Sequence, residues 1–284
     1  MSNFPTFCDL CGDAKSELVH NFGHWRLISC VGCGLRWGIP KPLAEEIGKL
    51  YDNEYFRSSN PRKKGYSNYQ SEEKMRVRTF MSRFNTIQDF MSPGTCLDIG
   101  CAYGYSIQAA TTNGWQCEGI DISSHCCGVA NERGYAAHQG DFLQFESGNK
   151  YDLITAWDVI EHTSSPKVFL FQVSKHLRQG GVVALTTPDA GSFLARFWGK
   201  RWHEYKWPAH LYYFSRPTLE QYCSEVGFKV IYIGFSRKYR SLANSLARWL
   251  GFYEFSPAIS TIPVLNKEIY YSSLSEMYLI AKKI

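Results

Sequence analysis

Thr95-Cys-Leu-Asp-Ile-Gly-Cys-Ala-Tyr-Gly104 decides how this 284-residue chain folds. Thr95 to Ile99 is a short apolar strand that runs directly into a glycine-bracketed turn. The turn opens a helix that Asn113-Gly114 stops. Strand, glycine turn and helix in that order place a backbone able to approach a ligand at the mouth of a helix N-terminus.

Moving towards the C-terminus, the same alternation repeats. Gln116 to Ile120 reads as a second strand ending in Asp121, and Ser123 caps a helix that stops at Gly134. Tyr135 to Gln139 is a third strand, followed by Gly140-Asp141, and Tyr151 to Ala156 is a fourth. Ser165-Pro166 opens a helix predicted to run to Gly180-Gly181, and Val182 to Thr187 is a fifth strand ended by Pro188. Phe228 to Phe235 and Met277 to Lys282 add two more strands. On the N-terminal side, Ser71 caps a helix whose apolar positions, from Val77 to Met91, recur at helical spacing before Pro93-Gly94. Such alternation predicts an α/β fold, a doubly wound, mostly parallel, Rossmann-like sheet of seven strands.

Ahead of this domain lie Cys8-x2-Cys11 and Cys30-x2-Cys33, separated by residues 12–29. Two C-x2-C knuckles at this separation complete a tetrahedron of thiolates, the pattern of a zinc ribbon. Gly12, Gly32 and Gly34 suit the tight knuckles, and a closed four-thiolate site is structural. The expected organisation is therefore a zinc-ribbon module at 1–42, a connecting helix (Leu43 to Leu50) and polar linker at 43–71, and the α/β domain at 72–284. Within it, 236–274 reads as a lid or dimer insertion, with an amphipathic helix near Leu242 to Leu250. A homodimer is one reading of that insertion.

Composition bounds the function. Net charge is +5, too little to call for nucleic acid, and residues 8–37 hold only Lys15, Arg26 and Arg36 as basic groups. No apolar run approaches the ~18 residues of a membrane helix, and the first eight residues lack the features of a signal peptide. No membrane partner is expected, and the cytoplasm is the expected compartment. Ten cysteines, four of them in the paired knuckles, fit metal plus buried thiols better than disulfides.

A ligand in such a fold sits at the carboxyl ends of the strands, where strand order reverses. Asp121, ending the second strand 23 residues after Asp98, stands where a ribose diol is gripped. Leu97 to Gly104 resembles the first motif of class I S-adenosylmethionine (SAM) dependent methyltransferases. Gly119-Ile-Asp121, Gly140-Asp141, Trp157-Asp-Val-Ile-Glu-His162, Leu177 to Gly181 and Thr187-Pro188-Asp189 resemble the later ones, in order. The likeness is to the branch acting on quinone-type and other small molecules, in which members with an N-terminal four-cysteine segment occur. It implies SAM as cofactor beside a structural Zn2+. Gly100, Ala102 and Gly104 would line the methionine part, with Asp98 in the turn. Asp121 and Ile122 would stand at the ribose, Asp141 and Phe142 at the adenine, and Asp158 beside the transferred methyl. Ala102 departs from the glycine that many members have.

SAM carries its own leaving group, so the enzyme must mainly align the acceptor and exclude water. A hydroxyl acceptor also needs a base. The candidates are His210, His162 and His203, with His210 first because Pro208 to Ser215 resembles a segment of this branch. Trp198, Trp202 and Trp207, amid basic and polar residues, read as a stacking platform for a sugar or aromatic ring. The expected activity is methyl transfer to a small-molecule acceptor, a hydroxyl of a saccharide or aromatic metabolite. Two rivals are a zinc-ribbon RNA methyltransferase and a non-catalytic SAM-binding protein. A metal-dependent oxygen methyltransferase is also weighed, but no second carboxylate–histidine cluster stands out in the sequence.

Overall fold

The computed structural model describes residues 7–42, 72–242 and 267–284. The Leu43 to Leu50 helix, the linker, the cap assigned to Ser71 and residues 243–250 of the amphipathic helix lie outside the described residues.

The N-terminal strands β1 (Ser16–Asn21), β2 (Arg26–Cys30) and β3 (Arg36–Ile39) form an antiparallel meander. The larger part contains α1 (Glu73–Gln88), β4 (Thr95–Ile99), α2 (Tyr105–Thr112), β5 (Gln116–Asp121), α3 (Ser124–Glu132), β6 (Ala137–Gln139) and β7 (Tyr151–Trp157). It continues with α4 (Pro166–His176), β8 (Leu177–Pro188), α5 (Phe193–Trp198), β9 (Tyr212–Tyr213), α6 (Arg216–Glu225), β10 (Phe228–Ser241) and β11 (Glu268–Lys283).

Seven strands form one sheet in the order β10-β11-β8-β7-β4-β5-β6. The five from β6 to β8 are parallel, and β11 and β10 run antiparallel at one edge. From β4 the chain winds outward first through β5 and β6, then on the other side through β7 and β8. The reversal lies between β4 and β7, which places a ligand crevice at their carboxyl ends.

Period-two side-chain alternation explains why the strands read as unbroken apolar runs. Leu153, Val182 and Ala184 pack on one face against Phe84 and Ile87 of α1 and Ala109 and Ala110 of α2. Ile154, Val183 and Leu185 pack on the other against Phe169 and Val173 of α4 and Leu219 and Tyr222 of α6. Both faces are covered, as a parallel sheet requires.

Two boundaries differ from the sequence expectation. The α4 helix stops at His176, not at Gly180-Gly181, because Leu177 is extended, fully buried and paired with Tyr151. Pairing resumes at Leu153 with Val182, so Arg178 to Gly181 bulge from the ladder, with Gly180 at φ 75°. The edge hairpin is also longer than predicted: Ser236–Ser241 pairs with Glu268–Ser273 beyond a register shift. This ribbon lies along α1, with Tyr239 N–H donating to Thr79 Oγ1 at 2.9 Å and Arg78 pairing with Glu268 at 2.6 Å. The described parts of 236–274 are therefore mostly strand, packed on the domain's own first helix.

The small sheet is completed by β9, giving the order β1-β2-β3-β9. Its core is continuous with one face of the large sheet, since Leu10, Leu35 and Trp37 share a cluster with Leu211, Tyr212 and Tyr222.

Candidate active site

Both cysteine knuckles have the same backbone device. Gly12 N–H donates to Cys8 O at 2.9 Å and Gly34 N–H to Cys30 O at 3.0 Å, with φ of 76° and 77°. A left-handed glycine directly after each C-x2-C turns the pair of sulfurs inward. Gly32 differs: its backbone is not left-handed, and a Cβ there would lie 2.8 Å from Asp13 Oδ2, so a larger residue would have to displace that carboxylate. The sulfurs of Cys8 and Cys33 are 3.6 Å apart and those of Cys11 and Cys30 3.5 Å, all four within 4.8 Å. A tetrahedron with Zn–S bonds of about 2.3 Å has edges of about 3.8 Å, so the four thiols fit such an ion.

The knuckle also reaches into the larger domain. Asp9 accepts from Ser165 Oγ at 2.6 Å, Lys167 N–H at 3.1 Å and Tyr222 OH at 2.9 Å. On the other side of the small sheet, Trp25 stacks on Phe22 at 4.1 Å and packs against Trp207 and Tyr213, while Tyr205 meets Trp202 edge-on at 5.1 Å. This corrects the stacking-platform expectation. Trp202, 2 % exposed, and Trp207 fill the junction between the two sheets, and only Trp198 of the three tryptophans is exposed.

At the switch point, β4 enters the glycine turn with Gly100 N–H donating to Ile120 O at 2.8 Å. Ala102 takes φ 47°, so the residue that replaces glycine carries backbone strain in addition to its extra methyl. Asp121 ties the turn to α3: Oδ2 accepts from Ala102 N–H and Oδ1 from Ser123 N–H, both at 2.9 Å. Burial raises its pKa against the pull of these two amides.

Asp98 sits beneath the turn at 1 % exposure, accepting from Thr155 Oγ1 through Oδ1, while Oδ2 has no hydrogen-bond partner. Burial pushes its carboxyl up to about 7, opposed by the hydroxyls of Thr155 and Ser106. Its placement is that of a support under the turn. Ile122, next to Asp121, is 46 % exposed and offers apolar surface at the crevice. Asp141 is exposed and caps a short 3-10 turn through Leu143 N–H. The Phe142 ring, however, packs into the core against Phe169 and His176, so only its backbone can face a ligand.

Across the crevice, Asp158 adopts φ 56° and is held by Thr186, whose Oγ1 donates to Oδ1 at 2.8 Å and whose carbonyl accepts Asp158 N–H at 3.0 Å. Burial pushes its pKa up, but the charges of Lys238 and Arg83 prevail and lower it. A cavity of about 70 Å³ opens here, lined among others by Phe80, Arg83, Trp157, Asp158, Lys238 and Tyr239.

Beyond Asp158 the chain brings two of the predicted histidines together. His162 and His210 meet edge to face with ring centroids 4.8 Å apart. The Nδ1 of His162 bonds to Ala209 O at 2.8 Å and that of His210 to Glu204 O at 2.9 Å. A carbonyl only accepts, so each Nδ1 carries the proton and each Nε2 is the basic nitrogen. Burial lowers the His162 pKa to about 4 and, together with the neighbouring His162, takes His210 well below the usual value. Both rings are neutral at physiological pH. His203 is set apart, its Nε2 2.8 Å from Glu204 Oε1.

Glu161, 1 % exposed, accepts from Thr187 Oγ1 at 2.9 Å through Oε2, while Oε1 has no hydrogen-bond partner and lies 3.8 Å from His162 Nε2. Burial, then the charge of Asp158, raises its pKa well above the usual range. One donor atom from each of Glu161, His162 and His210 lies within 4.8 Å of the others. The fold thus assembles a carboxylate–histidine cluster where none stood out in the sequence.

The fold agrees with the comparisons. Residues 69–233, more than half of the chain, match the family described as methyltransferase domain, and the chain belongs to that family. It is similar to the ubiquinone biosynthesis O-methyltransferase of Burkholderia vietnamiensis, 31 % identical over 99 residues, covering 32 % of this chain and 43 % of that one. The protein of that name from Leptothrix cholodnii is 30 % identical over 146 residues, covering 46 % and 62 %. The chain thus spans about half the length of the curated relatives it matches. Among solved structures, the magnesium protoporphyrin IX methyltransferase of Synechocystis with bound SAH has TM-score 0.53 at 15 % identity, covering 81 % of this chain and 97 % of that one. A SAM-dependent methyltransferase from Archaeoglobus fulgidus gives 0.51 at 17 %, covering 76 % and 99 %. At such identities the likeness speaks for the fold.

Proposed function

We propose that this chain transfers the methyl group of SAM to a hydroxyl of a small-molecule acceptor, a saccharide or aromatic metabolite. The observation that carries this reading is the neutral, backbone-pinned pair His162–His210 beside Asp158, at the carboxyl end of β7. A hydroxyl loses its proton as the new bond forms, and a neutral imidazole is the group to receive it. The names of the O-methyltransferase relatives support oxygen as the methylated atom.

In this reading Gly100, Ala102 and Gly104 cradle the methionine part, Asp121 receives the ribose diol, and Ile122 and the Asp141–Phe142 backbone border the adenine. When bound, SAM would supply an electrophilic methyl group whose leaving group is a neutral thioether. The protein's work is alignment and water exclusion. His210 Nε2 takes the acceptor proton, with His162 holding its ring edge-on. Cys8, Cys11, Cys30 and Cys33 hold a structural zinc that keeps the small sheet, and through β9 the His210 segment, in place.

A second reading rests on the unpartnered Glu161 Oε1. Glu161, His162 and His210 would hold a divalent cation, which would acidify an acceptor hydroxyl. The two readings separate on metal removal at the histidine cluster.

The test is SAM affinity and methyl-transfer rate in Asp121→Ala and His210→Ala. Asp121→Ala is expected to lose SAM binding, and His210→Ala to keep it while turnover falls by about 10²–10⁴. Normal SAM affinity in the first, or unchanged turnover in the second, would overturn these assignments.

A further inference from the structure

The segment from Phe193 to Arg201 carries side chains that neither the crevice nor the junction uses. Phe193 is 76 % exposed, Phe197 69 % and Trp198 38 %. Their rings form one continuous surface, with Phe193 stacked on Phe197 at 6.1 Å and Phe197 edge-on to Trp198 at 5.5 Å. Arg196, Lys200 and Arg201 are exposed beside them, and no acidic residue occurs from Ala190 to His203.

These aromatics are held outward by a firm base. Ser192 Oγ accepts from Ala195 N–H, and Ala195 and Trp202 are buried in the aromatic cluster at the junction. Lys200 Nζ lies 5.3 Å above the Phe22 ring. The rings therefore stay in water because the fold presents them there, and contiguous exposed apolar surface of this kind marks an interaction site.

We propose that α5 and the turn after it dock this protein on an anionic lipid surface. Charge complementarity selects that occupant. Phenylalanine and tryptophan belong at headgroup depth, and cations on the same short element face lipid phosphates. The helix has six residues and no described helix is long and apolar enough to cross a membrane, so the protein would lie on the surface. The sequence expectation of no membrane partner rested on the absence of a spanning run, which does not bear on an interfacial contact. The placement has a consequence that rests on the proposed methyl transfer. The patch lies on the stretch of chain between β8 and β9 that also carries His210, so the acceptor class that suits a docked protein is an amphiphile.

The test is co-sedimentation with vesicles of phosphatidylcholine alone and of phosphatidylcholine with about one third phosphatidylglycerol, across a salt series. The expected result is reversible binding to the anionic vesicles, released by salt. Phe193→Gln with Phe197→Gln should weaken it at least about tenfold. Arg196→Gln, Lys200→Gln and Arg201→Gln together should weaken it about a hundredfold, at roughly fivefold per charge. SAM binding, unaffected by these surface changes, reports that each variant is folded. Wild-type protein that ignores vesicle charge overturns the proposal without any variant. So does equal binding by all forms, loss of a dimer in the phenylalanine variant on size exclusion, or a patch-dependent preference for single-stranded RNA over the vesicles.

Discussion

Replacing Asp9 with alanine should loosen the cysteine knuckle from the α/β domain while leaving all four sulfurs in place. Three donors lose their acceptor: Ser165 Oγ, Lys167 N–H and Tyr222 OH. Hydrogen bonds to a charged acceptor contribute roughly 1.5–3 kcal/mol each, and the partly exposed ones to Ser165 and Lys167 fall at or below the lower end. Tyr222 has no exposure, so its hydroxyl is left buried without a partner, at a cost of about 1–3 kcal/mol. Allowing for non-additivity within one cluster, the total is about 3–4 kcal/mol. That is a large share of a typical stability of roughly 5–15 kcal/mol, and corresponds to a fall in Tm of roughly 6–16 °C. Urea unfolding of the metal-loaded protein measures it directly. Asp9→Asn retains one acceptor oxygen and should lose about half as much. A loss below about 1 kcal/mol in Asp9→Ala, with zinc retained, would refute the claim that this residue clamps the two parts together.

Three further outcomes follow from the geometry. Ala102→Gly should raise stability by about 1 kcal/mol, because it relieves a non-glycine residue at φ 47°, and should tighten SAM binding; a destabilised variant would contradict the strain. His162 is buried neutral, so its folded pKa of about 4 lies below the unfolded value near 6.5. Its contribution to stability is complete above about pH 6.5 and is lost as pH falls towards 4, at up to ~1.4 kcal/mol per pH unit. Asp98, raised to about 7, acts in the opposite sense as pH rises from 4 to 7 but is common to both proteins, so the difference between wild type and His162→Gln reports His162 together with the His210 it depresses. The variant should show a flatter acid side in denaturation curves, and an unchanged slope would contradict the neutral pair. Cys8→Ser should release zinc and unfold the small sheet, read by metal analysis and circular dichroism; a folded, metal-loaded variant would contradict the four-thiolate site.

All seven strands of the large sheet were legible because its central members are apolar runs ended by Gly, Pro or Asp. The knuckles were legible because C-x2-C spacing alone points two thiols the same way, and the structure brings all four within 4.8 Å. What escaped depends on contacts between distant segments. The outer ribbon of the β10–β11 hairpin is polar, Ser236-Arg-Lys-Tyr-Arg-Ser241, and becomes strand by pairing and by lying on α1. His210 reaches His162 through long-range contacts: Leu211 N–H donates to Glu161 O, Gly38 N–H donates to Leu211 O, and His162 Nδ1 bonds to Ala209 O. The two-residue strand β9 has no sequence signal of its own, and without it the tryptophans after β8 read as a platform, although Trp202 and Trp207 belong to a junction. Asp9 could have been noticed as a carboxylate inside a C-x2-C knuckle, but its partners Ser165 and Tyr222 belong to helices far along the chain.

The central claim is methyl transfer from SAM to a small-molecule hydroxyl. Its most direct test is incubation of the protein with methyl-labelled SAM and an extract of the source cells, with Asp121→Ala as control and products divided by ribonuclease. Label in a ribonuclease-resistant small-molecule or glycan fraction, absent with Asp121→Ala, is the predicted result. Label lost to ribonuclease would make the acceptor RNA, and no label above the control would make the chain a SAM-binding protein without this activity; either contradicts the account.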